Sequence, residues 1–292
     1  MEKTQYKKRR RQWTRYISVI PLFVFLVLLL GYPLVADIIY SFSNVTFRTI
    51  RKIPHLVGLQ NYIDVLCSSS FWGSFRFSLW FAVIATVSEV VFGLLLALAL
   101  APLLEKYKIL LTFIMLPLMI APVLMGIMYR LLLNGFVGII PQYLKLIGID
   151  VNLLDPPWVS WTLVAIEVLQ WTPFAFLIIF TGLQAIPADL IQAAKIDGAA
   201  GFKIFHYITF PILLPSISIA AFVRFVDSFR VFDHIYVLTG GGPGRSTMSL
   251  SIYIYKAFFQ QEQLGTAIAA AMILLIVFLF PLVISMRHIV RR

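Results

Sequence analysis

Five ionisable residues stand within otherwise apolar runs of the chain, Glu89, Glu167, Arg224, Asp227 and Arg230, and Asp37 lies near the end of another. A charge in hydrocarbon is costly, so such residues face a partner, a cavity or a transport path. Glu167, Gln170, Trp171 and Phe174 recur at the i, i+3, i+4 spacing that puts them on one helical face, and Arg224, Asp227, Ser228 and Val231 repeat it. Two chemistries fit these faces. One is an internal salt bridge, Glu167 or Asp227 with Arg224, that closes a helix bundle, with Ser228 small enough to let two helices approach. The other is recognition of a polyhydroxylated solute, in which Glu167, Gln170, Arg224, Asp227 and Ser228 exchange hydrogen bonds with hydroxyls while Trp171 and Phe174 offer faces for a ring to stack on. Arg224 and Arg230 would also suit an anionic solute, because a guanidinium grips carboxylate or phosphate with a two-pronged fork.

Other candidate chemistry is weaker. No HExxH, GxSxG or paired-carboxylate motif stands out, so no catalytic residue is expected. His55, His206, His234 and His288 are far apart and match no ligand spacing, so no metal site is expected. The single cysteine, Cys67, cannot form an intrachain disulfide. The run "GGGPG" at 240–244 invites a phosphate-loop reading, but such a loop needs GxxxxGK[ST] and the chain has no Gly-Lys pair. A tight external turn, permitted by glycine and ended by Pro243, is the simpler reading. Nothing in the chain looks able to bind or hydrolyse ATP.

The elements that must position these residues are membrane helices. Of 292 residues, 60% are hydrophobic and 13% charged, about half the charged fraction of a soluble domain. Runs of about 20 apolar residues, enough to cross a hydrocarbon core of about 30 Å, predict an all-α membrane protein with six transmembrane helices. They fall at 17–40, 78–100, 109–133, 158–183, 210–231 and 266–286. The first run is too long, and lacks the small-residue site, for a cleaved signal peptide, so it is expected to remain. With the N-terminus inside, 14 Lys and Arg fall on the cytoplasmic side and six outside, which predicts cytoplasmic N- and C-termini. The basic run "KKRRR" and the net charge of +11 then serve topology and anionic membrane lipid rather than nucleic acid.

This topology puts one polar interruption, 184–209, in the cytoplasm. Residues 188–195 form a short-helix candidate, with Pro187 at a first-turn position, Asp189 where the dipole favours an acid, and Leu190, Ala193, Ala194 and Ile196 at apolar spacing. Asp197-Gly198 breaks it, with Asp197 a candidate N-cap for a second helix through Phe202 and Phe205. The product is an elbow on the membrane surface, either an anchor or a docking helix for a cytoplasmic partner.

Here the residues resemble a known family. Gln192-Ala193-Ala194, Asp197-Gly198-Ala199, and Ile208-Thr209-Phe210-Pro211 followed by Pro215 look like the "EAA" loop of permease subunits in ABC importers. "LVGLQNYIDVL" (56–66), "WTPFAFLIIFTGLQAIP" (171–187) and "FRVFDHIYVLTGGGPGRST" (229–247) resemble segments of the carbohydrate, maltose-type branch. The resemblance implies a type I ABC importer permease fold. It implies a basic cytoplasmic segment at 1–16, a first transmembrane helix at 17–40, an external loop with the start of the second span at 41–77, a permease core at 78–286, and a cytoplasmic tail at 287–292. It implies Gln192, Ala193, Ala194, Asp197, Gly198, Ala199, Pro211 and Pro215 as ATPase-coupling residues, and bound sugar contacted from the two spans flanking the elbow. Partners would be a second homologous permease, two ATPase subunits that carry ATP and Mg, and an extracytoplasmic solute-binding protein, in a prokaryotic inner membrane. The solute would be a carbohydrate, such as an oligosaccharide, a polyol or a uronic-acid sugar, moved by alternating access. One departure stands out. The family usually has Glu where this chain has Gln192, which keeps size and hydrogen-bonding reach but loses the charge. An ion-coupled secondary carrier is the alternative, yet it predicts duplicated, broken helices that the sequence does not display; a membrane-embedded enzyme would need the catalytic set already found wanting.

Overall fold

The computed structural model describes residues 19–47, 49 and 54–290, with side chains described as far as Leu279. The basic segment 1–16, Arg48, Arg51, Lys52 and the terminal Arg291 and Arg292 lie outside the described residues, as do the first two positions of the expected first span.

Helices form nearly all the secondary structure described. In chain order, α1 is Val19–Ser41, α2 Gln60–Cys67, α3 Ser69–Lys106, α4 Ile109–Met115 with a 3-10 turn at Leu116–Met119, and α5 Pro122–Leu132. Next come α6 at Ile139–Leu146, α7 at Trp158–Gln184 and α8 at Ala188–Ile196. The segment Gly201–Ile204 leads through a π turn, Phe205–Thr209, into α9 at Phe210–Phe229; α10 is Asp233–Thr239, α11 Leu250–Tyr255 and α12 Leu264–Val290. By contact the chain divides into two compact units, Ser69–Tyr253 and the paired segments Met1–Ser68 with Ile254–Arg292.

In the second of these units, α12 packs on α1 and α2. Val45, Leu264 and Ile268 form a buried apolar cluster among its described residues, and Asn61 ties α2 to the end of α1 by donating from Nδ2 to the carbonyls of Ser41 (2.9 Å) and Ser43 (3.0 Å).

The unit Ser69–Tyr253 carries the chemistry. Helices α3, α7 and α9 pack against one another. Close approach of α3 and α7 depends on Gly93, where an added Cβ would lie 2.8 Å from the Phe176 backbone nitrogen. Two apolar clusters fill this unit. One holds Phe81, Ala85, Leu163, Ile166 and Val231; the other holds Ala97, Ala175, Phe176, Leu213 and Ala220. Helices α3 and α7 contribute to both clusters; α9 contributes Leu213 and Ala220 to the second, and Val231 of the first follows just after its end, so each of these three segments passes between the two.

Among the described residues, four helices are long and apolar enough to cross a membrane, and a bent pair makes a fifth if it crosses as one. That pair is where expectation and structure differ. The run 109–133 reads as one straight span, but Ile109–Met119 and Pro122–Leu132 meet at 82°. Pro122 explains the break: it lacks an N–H and its ring disfavours helical geometry at the residue before it, and Ala121 is extended at φ −60°, ψ 136°. The sixth expected segment falls on α12, whose described apolar stretch is Leu264–Leu279. Helix α3 starts at Ser69 rather than near 78 and runs 38 residues, about 57 Å at 1.5 Å per residue, so it exceeds the hydrocarbon thickness.

Candidate functional site

Arg224 is the centre of the bundle. It is 0% exposed, and its guanidinium is shared among three helices. Nε donates to Glu89 Oε2 at 2.6 Å and Nη2 to Glu89 Oε1 at 3.1 Å, a bidentate pairing between α9 and α3. Nη2 also donates to Glu167 Oε1 on α7 at 2.7 Å and to Ser228 Oγ at 3.1 Å. The Ser228 hydroxyl, one helical turn from Arg224, donates in turn to Glu167 Oε1 at 3.3 Å. Trp171 covers the guanidinium, with Cζ 4.4 Å from its ring centroid. This satisfies the requirement that a buried charge be paired and hydrogen-bonded.

The position of the cluster follows from the helices that build it. On α3, Glu89 falls between Ala85 of one apolar cluster and Ala97 of the other; on α7, Glu167 falls between Leu163 and Ala175. On α9 and the turn after it, Arg224 falls between Ala220 and Val231. The charges therefore form a polar layer between two apolar layers. At its margin Asp227, whose side chain is 36% exposed, lies 3.9 Å from Arg224 and 2.9 Å from the exposed Arg230. Behind it, His234 Nδ1 is 3.6 Å from Glu167 Oε2. Gln170 is buried but faces elsewhere: Nε2 donates at 2.8 Å to the Ile120 carbonyl, in the break between α4 and α5. A non-helical carbonyl at membrane depth needs such a partner.

The elbow is the opposite environment. Helix α8 has no buried residue, with Ile196 86% and Leu190 46% exposed. Asp189 opens it and Lys195 closes it, each on the side its dipole favours. Pro187 is extended at φ −60°, ψ 129° and precedes the helix as its cap rather than occupying the first turn. Asp197 caps the end of α8, its N–H bonded to the carbonyl of Ala193, so it does not start the following helix; Ala200 does. Gly198 explains the change, since its φ of +78° turns the chain before a second helix can begin. The Ala199 N–H then returns to the Ala194 carbonyl at 2.9 Å, completing the helix end. Gln192 and Ala193 are exposed, while Pro211 and Pro215 belong to the first turns of α9, directly after the π turn.

Residues 89–292 match the family described as binding-protein-dependent transport system inner membrane component. The chain belongs to this family. It is a multi-pass permease subunit of an ABC importer, and the ion-coupled carrier reading is not favoured. A probable ABC transporter permease protein, y4oQ, of Sinorhizobium fredii is 35% identical over 286 residues, covering 95% of this chain and 90% of that one. The trehalose/maltose transport system permease protein MalF of Thermococcus litoralis is 34% identical over 259 residues, covering 87% and 86%. Among solved structures, a bacterial ABC transporter involved in import of the acidic polysaccharide alginate matches with a TM-score of 0.82 at 21% identity, covering 98% of each chain. The permease fold is thus shared well beyond recognisable identity.

Of the residues that sequence periodicity grouped on this permease, the fold brings Glu167, Trp171, Arg224, Asp227 and Ser228 together and turns Gln170 towards α5. The ion pair between Glu167 and Arg224 is present. Glu89 and His234 complete the cluster. An acid in the middle of an apolar run was the one signal for Glu89, and it carried no indication of its partner.

Proposed function

We propose that this permease forms, with a second homologous permease, the membrane path for a carbohydrate solute. Trp171 and Asp227 line that path, and Glu167, Gln170, Arg224 and Ser228 hold them in register. The observation that carries this reading is the edge of the Arg224 layer, where the Trp171 ring lies on the guanidinium and the partly exposed Asp227 carboxylate approaches the same group. An aromatic face with adjacent hydrogen-bonding groups is the composition a sugar ring requires. The buried acceptors Glu167 Oε2 and Gln170 Oε1 have no hydrogen-bond partner, and helix movement that opens the layer would offer them to hydroxyls. Trehalose and maltose transport by one similar protein and import of acidic alginate by another support a saccharide.

Work reaches the path through α8. Its exposed apolar positions supply an anchor for a groove on an ATPase subunit, and Gly198 supplies the rigid turn that transmits movement into α9. Two ATPase subunits, carrying ATP and Mg, would close on paired elbows and switch six-span permeases between inward- and outward-facing states. Solute would arrive from an extracytoplasmic binding protein, with both termini of the permease in the cytoplasm of a prokaryotic cell. The test is ATP hydrolysis by the assembled transporter with a solute-loaded receptor, measured across neutral and acidic oligosaccharides. Trp171→Ala should weaken the stimulation by the preferred sugar; undiminished stimulation with unchanged preference would remove Trp171 from the path.

A further inference from the structure

A second polar site lies at the N-terminal end of α3. Ser69, Ser70, Gly73, Ser74 and Arg245 line a cavity of about 220 Å³. It opens at the N-terminus of a 38-residue helix, the end where the aligned peptide dipoles leave positive partial charge. Ser70, Gly73 and Ser74 share one helical face. Gly73 leaves its floor open, because an added Cβ would meet nothing within 4 Å.

Two side chains make this more than a helix end. Ser74 is 2% exposed, yet its hydroxyl has no hydrogen-bond partner. Buried hydroxyls are nearly always hydrogen-bonded, so one that lines a cavity without a partner is a donor in place for an acceptor. Arg245 arrives from the glycine-rich turn and donates from Nη1 to Ser70 Oγ. It forms no ion pair with any carboxylate among the described residues, and the cavity lining contains no acid.

We propose that this cavity is a binding site for a single oxyanion group, a carboxylate or a phosphate. The guanidinium offers parallel N–H donors that match either group, and the Ser74 hydroxyl supplies a further donor from the floor. The volume is below the roughly 300–1,000 Å³ of a drug-sized pocket, so the site takes an anionic end group rather than a whole oligosaccharide. Such a group comes either from a soluble acidic molecule or from a lipid headgroup. The site shares no residue with the Arg224 layer and stands whether or not that layer contacts solute.

The experiment is calorimetric titration of the full chain, assembled with its partner subunits in neutral detergent, with inorganic phosphate, glucuronate and, as control, glucose. The expected result is saturable binding of phosphate or glucuronate, no binding of glucose, and a loss of affinity of about tenfold or more in Arg245→Gln. Ser74→Ala should weaken binding less. Gly73→Leu, on an exposed helical surface, should block it by filling the floor while leaving the melting temperature unchanged. Repeating the titration in phosphatidylglycerol and phosphatidylcholine nanodiscs separates the sources: binding suppressed only by phosphatidylglycerol assigns the site to a headgroup, and binding equal in both assigns it to a soluble anion. Absence of binding of both ions to the wild type in detergent, or unchanged binding in both Arg245→Gln and Gly73→Leu, overturns the proposal.

Discussion

Arg224 is 0% exposed and Ile196 is 86% exposed, so a charge and an aliphatic side chain have each taken the place that composition would give the other. Both inversions occur within the unit Ser69–Tyr253, and they have different causes. Arg224 is inside because Glu89, Glu167, Ser228 and Trp171 surround it with compensating contacts. No such cover exists for Ile196 within α8, which has no buried residue at all. The interior inversion is completed by the chain's own residues. The surface one is incomplete within this chain, which is why an outside partner is the natural reading for the elbow and a rigid frame for the layer.

On that contrast, the largest effect of any single substitution should come from the layer. Arg224→Leu removes the one cation that two fully buried carboxylates share, and breaking a buried pair in this way costs about 3–5 kcal/mol. Thermal unfolding in detergent should show a strong loss of stability. Adding Glu89→Gln and Glu167→Gln to the same variant should restore a large part of it, because the uncompensated charges are then gone. A melting temperature unmoved by Arg224→Leu would mean that the layer does not hold the three helices together.

A smaller loss should follow where packing, not charge, sets the spacing. Gly93→Leu inserts a side chain where even a Cβ would be 2.8 Å from the Phe176 nitrogen, and backbone cannot yield as a flexible side chain can. Overpacking of this kind costs about 1–3 kcal/mol. The separation of α3 from α7 would also lengthen the Glu89 and Glu167 contacts to Arg224, so the double substitution with Arg224→Leu should be less than additive. Full additivity would indicate that the two regions are independent.

How far each region could be read from sequence differs for the same reason that their energetics differ. The elbow is local: Asp189, Lys195, the apolar spacing of α8 and the Asp197-Gly198 break lie within ten residues, and its helix was legible almost to the residue. What failed there was also local. Asp197 has a side chain suited to starting a helix, but the left-handed turn at Gly198 comes first, and the donor at 197 is already used to finish α8. The layer is non-local. Helical periodicity found the faces of Glu167 and Arg224, but Glu89 and Arg224 are 135 positions apart, and no spacing rule spans that distance. Gln170 shares the helical face of Glu167 and still turns away, because the break at Pro122 leaves a carbonyl at Ile120 that needs its amide. The bend of 82° was itself hidden, since hydropathy averages over Pro122, which causes it.

The elbow should respond to substitution in function more than in stability. Gly198 has φ +78° and nothing near its missing Cβ, so a larger residue meets no clash and only conformational strain. For a β-branched residue that strain is about 1–2 kcal/mol, enough to displace the turn without unfolding the bundle. Gly198→Val should therefore reduce ATP-dependent uptake sharply in a complex of normal melting temperature. Undiminished uptake would show that the turn's geometry is not transmitted into α9.

The smallest effect on the isolated chain should come from Ile196→Glu, and its smallness is what sharpens the contrast with Arg224. The side chain is already almost fully exposed, so adding a charge buries nothing and removes no contact within the chain; surface changes of this sort stay within about 0.5 kcal/mol. An acid near the C-terminus of α8 opposes the helix dipole by a few tenths of a kcal/mol, and Lys195 beside it offsets part of that. The unfolding midpoint should hardly move. Association with the ATPase subunit, measured by co-purification or by a crosslink from Ala193→Cys, should fall, because a groove filled by Ile196 would now have to desolvate a carboxylate. Normal association of Ile196→Glu would leave this isoleucine exposed for a different reason, such as contact with lipid at the membrane surface, and would shift the docking face to Leu190 on the other side of the helix.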